Sequence, residues 1–164
     1  MSDGSRQQRF AQAQELLAAT LQSCDRLLNA LLDERNAVQA NDVTALNGAV
    51  SRKKIHLADL EKHEQHRVAL LSACKYKSDL DSMQRFVRGN DDSRGTLQTL
   101  WSTTLKRLGE CRETNNTNGA VIAAQRKLHT DAINVLRQQE QDPETYGPGG
   151  KTETTGQYRA LAEV

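Results

Sequence analysis

Both prolines of the chain, Pro143 and Pro148, stand in one short stretch near the C-terminus, and the run from Met1 to Asp142 has none. Proline breaks helix interiors. Its absence over such a length, in a background of Ala, Leu, Gln, Glu, Lys and Arg, favours long helices. The apolar spacing agrees. From Phe10 onward, Leu17, Leu21, Cys24, Leu28, Leu31 and Val38 recur at alternating steps of four and three, a heptad stripe interrupted by Arg35. This predicts a helix over about 6–40, roughly 50 Å long at 1.5 Å per residue.

Asn41 and Asp42 then offer an N-cap. A second stripe follows at Val43, Leu46, Val50, Leu57, Leu60, Val68 and Leu71, predicting a helix over 43–74. So short a connection folds the two helices back on each other as an antiparallel hairpin. Leu80, Met83, Phe86 and Val87 predict a short amphipathic helix over 79–88, and the composition of Gly89–Gly95 reads as a loop. A third long helix, 96–141, carries Leu97, Trp101, Thr104, Leu108, Cys111, Asn115, Asn118, Ile122 and Leu136. Asn115–Gly119 is poor helix material and marks a kink or soft point. The expected fold is all-α: a long antiparallel coiled-coil hairpin plus a third long helix, together an elongated helical bundle. It forms a single helical domain over 1–141, followed by a flexible, disordered tail over 142–164, rich in Pro, Gly, Thr and Glu.

Composition narrows the function. Lys and Arg number 22 against 21 Asp and Glu, a net charge of +1. That balance sets up no field to gather nucleic acid or anionic lipid. No apolar run reaches about 18 residues, so no membrane span is expected. The N-terminus shows no basic segment followed by an apolar run, so no secretory signal is visible. Cys24, Cys74 and Cys111 form no close pair and read as small apolar residues kept reduced in a cytoplasmic protein.

Three fragments imitate chemistry. Gly150-Lys151-Thr152 resembles the end of a phosphate loop, but Thr145 stands where the first glycine belongs and neither strand nor helix flanks it. His63 and His66 are three apart, whereas the zinc-helix pattern spaces its histidines by four and needs a third ligand. Asn115-Asn116-Thr117 matches a glycosylation sequon inside a helix of a cytoplasmic chain. No catalytic set stands at recognisable spacing. Neither an enzyme nor a cofactor or metal requirement is expected.

The C-terminal half of the third helix is more informative. At about 100° per residue, Val121, Ile122, Ala124, Leu128, Ala132, Ile133, Val135 and Leu136 sweep an apolar arc of about 180°. One neighbour needs an arc of about 100°. Two readings fit the excess. The helix packs against both hairpin helices, or part of the arc stays open as a groove for a partner's amphipathic helix.

Three segments then occur in order: Asn115-Asn116-Thr117-Asn118-Gly119, Ala132-Ile133-Asn134-Val135-Leu136, and Thr145-Tyr146-Gly147-Pro148-Gly149-Gly150. They resemble the Asn-x-x-Asn-Gly element, the amphipathic Ala-Leu-x-x-Leu stretch and the Tyr-Gly turn of the FlgN family of flagellar export chaperones. Ala120 stands where that pattern favours a bulkier residue, and the chain after Thr152 has no clear counterpart. The resemblance implies a cytoplasmic chaperone for the hook-associated proteins that join hook to filament. Its partner-binding residues are Val121, Ile122, Ala124, Leu128, Ala132, Val135 and Leu136, which mask the client's C-terminal amphipathic helix. Delivery to the flagellar type III export gate follows, with Tyr146 either docking there or folded back on the helix end. The rival reading is a structural or signalling coiled-coil adaptor that homodimerises through the same arc.

Overall fold

The computed structural model describes residues 3–141, and four helices account for nearly all of them: α1 (Asp3–Ala40), α2 (Val43–Ala73), α3 (Leu80–Asn90) and α4 (Thr96–Gln141). There are two compact units, one up to Ile122 and one from Ala123 onward. The first contains α1, α2, α3 and the opening half of α4.

The turns are set by local hydrogen bonding. At the end of α1, Asn41 adopts the left-handed region at φ 53°. Its N–H donates to Val38 O, and that of Asp42 to Ala37 O, closing the free carbonyls of the last turn. Asp42 then caps α2 by accepting from Ala45 N at 2.9 Å. The end of α2 repeats the device with Lys75 at φ 61°, the N–H groups of Lys75 and Tyr76 closing on Ser72 O and Leu71 O. Asp79 opens α3, its carboxylate accepting from Ser82 N at 2.6 Å. Two aspartates open α4. Asp92 accepts from Thr96 N, while Asp91 accepts from both Leu97 N and Gln98 N. Gly95, at φ 72°, makes that double cap possible, because a side chain is strained there.

α1 and α2 are antiparallel: Ser23 meets His63, while Asp33 and Glu34 meet Arg52 and Lys53. α4 runs parallel to α1 at a constant offset. Cys111 Sγ lies 3.4 Å from Cys24 O, and Asn118 Nδ2 lies 2.7 Å from Leu31 O, each pair 87 residues apart. α1 is therefore packed on two sides. Its buried face widens beyond the heptad stripe to include Ala13, Leu27, Ala30, Glu34 and Ala37.

The principal core lies at the base, where all four helices meet. Phe86, Leu71, Met83, Val87 and Leu97 are fully buried there with Ala13, Leu17 and Trp101. Tyr76 stands edge-on to Phe86 at 5.8 Å between ring centroids. Burying each large side chain here contributes roughly 2–3 kcal/mol. Trp101 Nε1 donates to Gln84 Oε1 at 3.0 Å, which fastens α4 to α3.

Three expectations need correction. Gly89 and Asn90 belong to α3 rather than to a loop, because Asn90 Nδ2 donates to Phe86 O and completes the last turn. α4 passes through Asn115–Gly119 uninterrupted. The stripe read on α2 holds in part: Leu71 is fully buried and Leu46, Val50 and Leu60 are half-buried, but Val43, Leu57 and Val68 are exposed, and the seam toward α1 also takes in Ala49, Lys53 and His63. Polar seam residues are tolerated because α1 supplies partners for them, Glu34 for Lys53 and Ser23 for His63.

Candidate functional site: an exposed apolar face on the last helix

Beyond Asn118, α4 continues unbroken to Gln141. In the first unit, Val121 is 40% exposed and Ile122 is half-buried. In the second, Ala124 and Ala132 are exposed, and Leu128, Ile133, Val135 and Leu136 expose 68%, 50%, 53% and 61% of their surface. Every residue from Arg126 to Gln138 is exposed. Within that unit, Leu128, Ala132 and Val135 follow one another at steps of four and three, which places them on one side of the helix.

Of the polar groups around this face, Arg126, Lys127, Asp131 and Arg137 are also exposed. Thr130 Oγ1 donates back to Arg126 O at 3.0 Å. Among the described residues, no group of three or more His, Cys, Asp or Glu side chains is placed to hold a metal ion. An apolar strip flanked by solvated charge is suited to burying against another apolar surface. Tyr146 and Gly150-Lys151-Thr152 lie outside the described residues.

Just before the strip is a polar cluster that the sequence did not disclose. Asn118 is buried, 2% exposed, and its Nδ2 donates to Leu31 O at 2.7 Å and Glu34 Oε2 at 2.8 Å. Its Oδ1 accepts from Arg35 Nε at 3.2 Å. Glu34, also 2% exposed, is held by Lys53 Nζ at 2.9 and 3.2 Å. Two interruptions of apolar stripes, Arg35 on α1 and Asn118 on α4, thus meet each other. The available signal was Glu34 itself, three residues past Leu31 and four before Val38, a seam position.

A second apolar feature opens between α2 and α4 in the first unit. Leu16, Leu60, Leu80, Trp101, Leu105 and Leu108 line a groove of about 210 Å³, closed on one side by the Glu64–Arg67 ion pair. His63, whose spacing from His66 argued against a metal site, lines this groove with its Nε2 3.1 Å from Ser23 Oγ. No helix among the described residues is long and apolar enough to cross a membrane.

The sequence family described as FlgN protein matches residues 1–154. No curated protein and no solved structure matches the chain.

Proposed function

Because the chain belongs to the FlgN family of flagellar export chaperones, we infer that the exposed face of α4 is where it holds its client, the C-terminal amphipathic helix of a hook-associated protein. One observation carries this reading: Leu128, Ile133, Val135 and Leu136 are each at least half exposed on one continuous helix. Covering each of them stabilises a complex by roughly 1–2 kcal/mol before the costs of ordering. That range suits a chaperone that must release its client. Masking the client helix keeps it from associating prematurely in the cytoplasm, where the complex forms and is passed to the export gate.

Leu128→Glu tests the face. At 68% exposure the substitution removes no core packing, so helicity by circular dichroism should be unchanged. Affinity for the client's C-terminal peptide, measured by titration calorimetry, should fall at least tenfold, about 1.4 kcal/mol. Unchanged affinity overturns the assignment. The same face would also seat a second copy of this chain. Light scattering separates the two, since a tight homodimer broken by Leu128→Glu favours the adaptor reading.

Tyr146 supplies the second half of the function, contact with the export gate. The support is its place in the Tyr-Gly turn that resembles the family's, together with the general enrichment of tyrosine at interfaces. Tyr146→Ala should reduce secretion of the client while leaving its binding intact. Normal secretion by that variant removes the role.

A further inference from the structure

We propose that Arg35 and the notch beside it form a specificity subsite for the client helix. The notch takes one apolar side chain of that helix, and the Arg35 guanidinium takes a carboxylate three or four residues away, where both project from one face. The inference rests on the docking reading above and adds the partner's chemistry: an amphipathic helix with an acidic residue beside its apolar stripe. Arg35, Val38, Gln39, Thr117, Asn118 and Val121 line a notch of about 220 Å³, room for a leucine or phenylalanine side chain. Its apolar lining is Val38, which is buried, and Val121, which stays 40% exposed.

The charges around the notch leave Arg35 unmatched. The last ten residues of α1 carry three charges, and two are paired within the hairpin, Asp33 with Arg52 and Glu34 with Lys53, each at 2.9 Å. Arg35 is the third, and among the described residues no carboxylate forms an ion pair with it. α4 carries no charged residue between Glu113 and Arg126 that could do so. Nor does packing call for an arginine, since the position falls in a heptad stripe that leucine would continue. The guanidinium is nonetheless held in place. Its Nε donates to Asn118 Oδ1 at 3.2 Å, and Asn118 is fixed in turn by Leu31 O at 2.7 Å and Glu34 Oε2 at 2.8 Å. With Nε engaged, the two Nη groups form the end of the fork that fits a carboxylate bidentately. A cation already oriented loses less freedom when its counter-ion arrives. One isolated cation on a chain of net charge +1 suits a single carboxylate rather than a polyphosphate backbone.

The test is titration calorimetry of the full chain with a synthetic peptide covering the C-terminal amphipathic helix of a hook-associated protein. Arg35→Gln, which removes the charge and keeps a hydrogen-bonding end for Asn118, should bind about tenfold more weakly. Arg35→Glu should bind more weakly still. The affinity of the native chain should also fall more steeply with salt than that of Arg35→Gln. A structural role for Arg35 would not predict the decisive result: one Asp→Lys or Glu→Lys substitution in the peptide should weaken binding to the native chain and restore it to Arg35→Glu. Circular dichroism and the thermal midpoint check that the variants are folded, and if Arg35→Glu is not, the salt dependence of Arg35→Gln decides. Native affinity in both Arg35 variants, with Leu128→Glu still impaired, overturns the subsite and leaves the docking reading standing. Failure of the native chain to bind the peptide sinks both. A homodimer in light scattering that Arg35→Glu disperses would give the notch to a second copy of this chain and overturn the proposal.

Discussion

Cys24 and Cys111 face each other across the α1–α4 contact, and neither thiol is placed for reaction. Burial pushes Cys24 from the ordinary 9.0 to about 11, with Cys111 and Asp25 adding to the effect. Cys111 is raised as well, again chiefly by burial. A raised thiol means that the folded state holds its proton more tightly than the unfolded chain does. The stability linked to it is complete below pH 9 and drains away as pH climbs from 9 toward 11. The thermal midpoint should therefore decline across that interval, less so in Cys24→Ala. At neutral pH, a maleimide should label the half-buried Cys74 first. Rapid labelling of Cys24 in the folded chain would refute this assignment. The Glu34–Lys53 pair shows the same economy: neither member is left without a partner where water is scarce.

Helix ends are where local chemistry has most control in this chain. Asn41 and Lys75 both occupy the left-handed position that closes a helix, but asparagine visits it readily and lysine does not. Lys75→Gly should therefore stabilise the protein by about 0.5–1 kcal/mol, visible as a higher thermal midpoint. A lower midpoint would mean that the lysine side chain contributes something the turn geometry does not show. The carboxylates of Asp79 and Asp92 are held below the usual range, mainly by the backbone N–H groups of Ser82 and Thr96. Of these termini the start of α2 was the most legible in the sequence, because Asp42 acts on Ala45 within three residues. The seam face of α2 was less legible. Its apolar residues suggested a stripe through Val43, Leu57 and Val68, yet the seam passes through Lys53 and His63, whose partners lie on another helix. Periodicity counts hydrophobicity and cannot see a distant Glu34 or Ser23. For the same reason Asn118 read as a weak point, when Leu31, Glu34 and Arg35 make it a fixed one. The apolar arc of α4 was legible as a pattern, while its exposure depended on what the other helices covered.

Across the whole molecule, sequence neighbours and spatial neighbours diverge at one place. α1 meets α2 through a two-residue turn, whereas the α1–α4 contacts join residues 87 positions apart. Closing so large a loop costs entropy that no local contact repays in advance. Assembly should therefore proceed in order, hairpin first and α4 afterwards. The chain's single tryptophan makes this observable, since Trp101 is buried at the base where α4 joins the other three helices. On dilution from denaturant, far-ultraviolet ellipticity should recover ahead of Trp101 fluorescence; simultaneous recovery would contradict the order. On the ribosome the consequence is sharper. Until the last third of the chain has emerged, Cys24, Leu27 and Leu31 have no α4 to cover them, so this member of a chaperone family begins life with greasy surface of its own unshielded.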